Sequence, residues 1–225
     1  SMSKEELSAL REEYEALYQD LREKSQELSR ARSGHAALLE EKIAEELALL
    51  GMNGARVRIQ LTREMEVEDG QERVVIHEKG LDRVEFMLQA NAGEGLLPLR
   101  KVASGGEMSR LMLALKSIAS PRQSRTLVFD EIDTGVGGEV SYSIGERLRK
   151  LAAETQVIVV THLHQVAAFA EEHFKIEKSL QDGRTVSRIV QVEQDLRLQE
   201  LARMMGSRSR RGLEHAREIL HNLAS

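Results

Sequence analysis

Cysteine and tryptophan are absent from this chain of 225 residues, prolines number two, and aromatic residues make up only 3%. Without cysteine there is neither a disulfide framework nor a thiolate zinc site. No apolar stretch approaches the roughly 18 residues that a membrane-spanning helix needs. Two prolines and 16 glycines exclude collagen-like and low-complexity chains. The N-terminus is charged from Lys4 onward and lacks the apolar core of a secretory signal. Ser1 and Met2 read as a cloning scar. These absences predict a soluble cytoplasmic protein with no membrane partner. Its length suggests one domain or two, with ample room for a buried core.

Charge is unevenly spread. Residues 1–50 hold 7 Lys+Arg and 12 Asp+Glu, against 32 and 37 in the whole chain, which leaves 25 of each for residues 51–225. All of the net −5 therefore sits in the first segment. The remainder is not a basic nucleic-acid domain by bulk charge, so any nucleic-acid contact needs a local patch.

The same boundary marks a change of periodicity. Residues 3–50 contain no proline and one glycine, Gly34. Leu7, Leu10, Tyr14, Leu17 and Leu21 alternate spacings of three and four, and the pattern continues through Leu28, Ala31 and Leu38 with polar breaks at Lys24 and His35. This is a heptad seam, and it predicts one strand of a coiled coil roughly 70 Å long at 1.5 Å per residue. No second heptad run of comparable length exists in the chain to pair with it. A surface helix of an ordinary bundle is the plainer alternative.

Gly51-Met52-Asn53-Gly54 punctuates the end of that helix. Alternating strands are predicted next, over 56–62, 74–77 and 84–88, with turns at Asp69-Gly70 and Lys79-Gly80. They form an antiparallel β subdomain. After Pro98 the period changes. A nearly all-apolar helix is expected over 107–119, stopped by Pro121, then a short strand at 127–129 and a helix over 138–152. Val157 to Val160 is a continuous apolar run, as expected of a strand buried in a parallel sheet. A helix at 165–172, further strands including 184–192, and helices at 195–205 and 211–223 complete the pattern. Strands alternating with helices predict an α/β fold. The expected division is 1–50 for the arm helix and 51–225 for the rest.

Four elements between residues 103 and 162 carry chemistry. Ser104-Gly105-Gly106-Glu107 opens the apolar helix. Ser104 and Glu107 make a capping box, which needs no ligand to explain it. The paired glycines are not explained that way, because each costs a helix up to about 1 kcal/mol. They suit a helix start approached closely by an anion, where free N–H groups and the positive dipole end would hold a phosphate. Next, the strand Thr126–Phe129 delivers Asp130 and Glu131 at its C-terminal end, the edge where open α/β sheets bind ligands. Asp130 suits Mg²⁺ binding and Glu131 suits deprotonation of an attacking water. An exposed strand-end pair is the plainer reading. Third, Asp133 begins a loop containing Gly135, Gly137 and Gly138 that is either tightly packed or simply flexible. Last, Thr161-His162 follows the apolar strand, where a histidine can donate to a phosphate.

In order and spacing the four elements resemble the ATP-binding-cassette (ABC) ATPases. Ser104-Gly105-Gly106-Glu107 is similar to the family signature, Thr126 to Glu131 to Walker B with its catalytic glutamate, Asp133 to the D-loop and His162 to the switch histidine. A coiled-coil helix leading into such a cassette resembles the heads of the structural-maintenance-of-chromosomes (SMC) class. The stretches LPLRKVASGGEMSRLMLALK, VFDEIDTGVGG and VVTHLHQVAAFA most resemble the bacterial double-strand-break repair ATPases of that class. His164 stands where that pattern has proline.

No G-x-x-x-x-G-K-[ST] loop occurs anywhere in the sequence, so the residues that cradle ATP phosphates are missing. The resemblance implies that this loop belongs to an N-terminal half. The chain is then the C-terminal half of a split P-loop NTPase head, inactive by itself. It further implies ATP and Mg²⁺ as cofactors, ATP being sandwiched in a homodimer of heads and DNA ends or single-stranded regions being the substrate. Asp130 would serve the metal and Glu131 would act as base. His162 would sense the γ-phosphate, and Ser104, Gly105, Gly106 and Glu107 would contact it from the opposite head. Asp133 would couple the two sites. A non-enzymatic coiled-coil module with a relic fold, another SMC-type head fragment and a transporter nucleotide-binding subunit are the competing expectations. Ser207-Arg208-Ser209-Arg210-Arg211 is the best local basic patch, and a solvated inter-helix loop is its favoured reading.

Overall fold

A computed structural model of the chain describes all residues except 1–2, 69, 103, 120–125, 182–183, 208 and 225. Ser1 and Met2, Asp69 of the expected turn, Pro121 and Arg208 of the basic run lie outside the described residues. The chain divides into two compact units, residues 1–44 with 54–102 and residues 45–53 with 103–225. This division differs from the expected break at residue 50.

In the first unit, helix α1 (Lys4–Leu49, whose last turn belongs to the second unit) lies along antiparallel strands. Strands β1 (Arg56–Arg63), β4 (Asp82–Gln89) and β5 (Leu97–Pro98) form one sheet in the order β1-β4-β5. Strands β2 (Met65–Glu68) and β3 (Gln71–Val74) form a separate hairpin. The expected strand at 74–77 is thus displaced, ending at Val74, because the chain pairs Met65 with Val74 and then turns at His77–Gly80.

The arm helix has a partner within the chain, on a face the heptads do not use. Asp82 is buried and accepts from Ser29 Oγ at 2.8 Å, with Arg32 at 3.4 Å. Glu40 accepts from Ile59 N and pairs with Arg58, while Arg73 stacks over Tyr18 and pairs with Glu15. Glu15, Tyr18, Ser25, Ser29 and Arg32 each lie one residue beyond a seam position, about 100° around the helix. The seam itself stays exposed at Leu7, Leu10, Tyr14, Leu17, Leu21 and Leu38.

The second unit holds the α/β part. Helix α2 (Gly105–Ile118) precedes strand β6 (Thr126–Phe129), helix α3 (Gly138–Ala152) and strand β7 (Gln156–Val159). β6 and β7 pair in parallel, Thr126 to Gln156 through Phe129 to Val159. Helix α4 (His164–Ala168) is shorter than expected and leads to the antiparallel hairpin of β8 (His173–Gln181) and β9 (Arg184–Val192). Helices α5 (Gln194–Met204) and α6 (Arg210–Ala224) pack on α4 around Ala167, Ala168, Leu201, Ala202, Ala216 and Ile219. Leu111 and Leu113 of α2, Phe129 of β6, and Ile144 and Leu148 of α3 are also buried.

Val157–Val160 is parallel as expected but not buried on both faces. Ile158 and Val160 are exposed, as is Val128 on the neighbouring strand. The parallel sheet has only two strands among the described residues, so one apolar face has no layer over it.

Gly145 lets α3 meet α4, since a Cβ there would run into the Phe169 ring, which also packs edge-on against Tyr142. Alanine at 145 is expected to destabilise the second unit by about 1–2 kcal/mol. Overpacking outweighs the better helix propensity of alanine. Thermal unfolding of the variant checks this, and an unchanged melting temperature would mean that the ring moves aside freely.

Candidate functional site

All of the sequence-predicted site residues fall in the second unit, around the start of α2 and the C-terminal ends of β6 and β7. Ser104 is the N-cap of α2, with extended backbone angles, and its Oγ accepts from Glu107 N at 3.3 Å. This is the forward bond of the capping box. Gly106 is buried and Glu107 half-buried.

Asp130 and Glu131 leave β6 on the exposed side of the strand end. Asp130 Oδ1 accepts from Glu131 N at 2.9 Å, and the Asp130 carbonyl accepts from Ser109 Oγ at 2.7 Å. Glu131 has φ of +57°, a left-handed conformation that costs an L-residue about 1–2 kcal/mol. The strain is held by a tight turn in which Thr134 N donates to the Glu131 carbonyl at 3.1 Å. Such strain persists only where its surroundings over-determine it, and it concentrates at functional sites.

The glycine pair is explained by this turn. A Cβ on Gly105 would collide with Glu131 Oε2, and one on Gly106 would lie 3.0 Å from the Glu131 carbonyl and 3.1 Å from Thr134 Cβ. The sequence predicted a close approach to this helix start, and Glu131 itself makes it.

Asp133 is buried, and its carboxylate faces the loop after β7. It accepts from Thr161 Oγ1 and from His162 N at 3.0 Å, and His162 Nδ1 lies 3.2 Å from it. Thr161 Oγ1 also caps the loop by accepting from Leu163 N at 3.0 Å. The His162 ring is 71% exposed, so Asp133 fixes the Nδ1 edge and leaves the ring facing solvent. A carboxylate on one ring nitrogen sets the orientation and tautomer of the other. His164 opens α4 as its first residue. Proline is also accommodated at the first position of a helix. Burial lowers the His164 pKa, with a smaller contribution from His215.

Sequence reasoning missed Arg110. Its guanidinium is buried and donates through Nη1 to the Ile132 carbonyl at 3.3 Å and the Thr134 carbonyl at 2.9 Å. Burial lowers its pKa. The available signal was an arginine set among the apolar residues Met108, Leu111, Met112 and Leu113 of α2. Among the described residues, no group of three or more His, Asp or Glu side chains could hold a metal ion by itself.

No family model matches the chain. It is 41% identical over 213 residues to the DNA repair protein RecN of Deinococcus radiodurans, covering 94% of this chain and 36% of that protein. It is 38% identical over 223 residues to the DNA repair protein RecN of Bacillus subtilis, covering 95% and 39%. The chain thus spans little more than a third of the length of the curated relatives it matches. The Smc head domain with a coiled coil and joint from Pyrococcus yayanosii aligns over 89% of this chain and 36% of its own, with TM-score 0.52 and 20% identity. The Smc head domain from Pyrococcus furiosus, solved with an extended coiled coil and bound to the C-terminal domain of ScpA, aligns over 99% and 46%, with TM-score 0.50 and 20% identity. Over nearly its whole length the chain is thus similar to the DNA repair protein RecN, and it has the fold of an SMC head.

Proposed function

We propose that this chain is the C-terminal lobe of an ATPase head that uses ATP binding and hydrolysis to engage and release a second head during DNA double-strand-break repair in the bacterial cytoplasm. The observation that carries the reading is the tie between two strand-end loops. Asp133 joins the Asp130-Glu131 loop to Thr161-His162, beside the Ser104-Gly105-Gly106 helix start.

In this reading Glu131 orients and deprotonates the attacking water, and His162 donates to the γ-phosphate. Ser104 Oγ and the first amides of α2, with Glu107 closing the cap, receive the γ-phosphate of nucleotide held by the opposite head. The Glu131 carboxylate lies over Gly105, so an incoming phosphate must shift it. Asp133 couples the site by holding His162 in place.

Asp130 fits a magnesium site of the sparse kind. It is exposed at a strand end, and Mg²⁺ is commonly held by one or two carboxylates, with phosphate oxygens and water completing the shell. When bound, the ion supplies charge neutralisation at the phosphates.

The P-loop is supplied by an N-terminal lobe. Support comes from the exposed apolar face of β6 and β7 at Val128, Ile158 and Val160. Mixing this chain with a P-loop lobe should produce ATP turnover that neither has alone, and absence of turnover in the mixture would remove the reading.

DNA is the substrate of the whole protein in this reading, but the 207–211 run is not its contact. Arg210 pairs with Glu214 at 2.9 Å, and Ser209 Oγ accepts from Gly212 N at the start of α6. The first is an i,i+4 pair on the surface of α6 and the second caps its start. Replacing Arg210 and Arg211 by glutamine should leave DNA affinity and its salt dependence unchanged in filter binding at two salt concentrations. A salt slope lower by about one per residue would instead place phosphates there.

A further inference from the structure

We propose that Arg110 is a positioning residue for hydrolysis, holding the turn that carries Glu131 and, through that turn, the Asp133 carboxylate that orients His162. This rests on the reading of Glu131 as the base.

The geometry is specific. Arg110 lies in α2, whose first turn is crossed by residues 131–134. Its Nη1 donates to the carbonyls of Ile132 and Thr134, the residues immediately before and after Asp133. Asp133 is therefore clamped on both flanks by its backbone, while its side chain grips Thr161 and His162 28 and 29 residues away. One residue earlier in α2, Ser109 Oγ donates to the carbonyl of Asp130. Two consecutive residues of the helix thus fasten three carbonyls of the loop bearing both carboxylates. Three fixed carbonyls leave the turn little freedom, which is what the left-handed backbone at Glu131 requires.

A buried arginine donating only to neutral carbonyls is an expensive way to hold a loop for stability alone. It makes sense where the loop's exact setting matters, because an error of about 1 Å at a reacting group can cost about 100-fold in rate. The arrangement also links the two halves of the site. α2 begins at the residues assigned to the opposite head's phosphate, and a shift of α2 is carried to Glu131 and His162 by Ser109 and Arg110.

The test uses the full-length protein and steady-state ATP turnover. Arg110→Met keeps the apolar stem and removes both hydrogen bonds. Its kcat should fall about 10- to 100-fold. KM should stay within about twofold, because Arg110 is buried against the turn and is assigned no part in binding nucleotide. Arg110→Lys, which keeps the charge but is one bond shorter, should be intermediate. Ser109→Ala should lose severalfold by the same logic. Glu131→Gln runs in parallel. If Glu131→Gln is inactive while Arg110→Met and Ser109→Ala keep wild-type kcat, the positioning role is overturned and the base assignment stands. If Glu131→Gln keeps wild-type turnover, the base assignment falls and this proposal with it. A raised KM at unchanged kcat makes Arg110 a binding residue and overturns the proposal. So does unfolding of both Arg110 variants together with wild-type kcat in Ser109→Ala, which would mark Arg110 as a stabilising residue.

Discussion

Replacing Glu131 by glutamine should lower ATP turnover by the complete head about 10²- to 10⁴-fold, the usual contribution of a positioned general base. Nucleotide binding should survive, because glutamine keeps the size of the side chain and removes only its capacity to take a proton. The ATP-bound dimer should therefore persist, visible as a longer-lived dimer in sedimentation or light scattering. The structure adds a reason to expect a clean effect. The side chain is exposed and makes no ion pair among the described residues, so its loss leaves no partner unsatisfied. The backbone turn is held by Asp130, Ser109, Arg110 and Thr134, none of which uses the Glu131 carboxylate. Wild-type turnover in this variant would remove Glu131 from its assigned role.

The isolated chain should show no ATP turnover above background, and adding the P-loop lobe should restore the rate of a complete head. This is an all-or-none effect because of what is missing. The chain has carboxylates, a histidine and a helix start, but no glycine loop with Lys-Ser/Thr to cradle the β- and γ-phosphates. Among the described residues, no acidic or histidine cluster can substitute by gathering a metal. The exposed apolar face of β6 and β7 predicts that mixing also raises the melting temperature of the second unit, because covering Val128, Ile158 and Val160 removes apolar surface from water. Turnover by the isolated chain comparable to a complete head, abolished by Glu131→Gln, would overturn the two-lobe reading while keeping the base.

Much of the fold is legible in the amino-acid sequence. The helix expected over 138–152 matches α3 end to end, and the 3-4 spacing locates α1 within a residue at each end. Both patterns are local, since periodicity and capping residues report on the chain within a few turns. The displaced strand at 74–77 shows the limit. Val74, Val75 and Ile76 have high strand propensity, yet pairing with Met65 ends the strand at Val74. Register is a property of two segments, and propensity describes one.

What the sequence by itself determined is therefore the inventory: an acidic heptad arm, an antiparallel subdomain, an α/β part, and four chemical elements in a fixed order. Only the tertiary structure decided how these groups use one another. It turned a neighbouring face of the arm, not the leucine seam, onto the strands. It buried Asp133 against Thr161 and His162, put Glu131 over the glycine pair, and set Arg110 against the carbonyls of Ile132 and Thr134. Each of these joins residues about twenty or more positions apart, or else selects one of several faces that a helix offers. No local pattern encodes that choice. It is set by which apolar surfaces can be buried together while most buried polar groups find a partner.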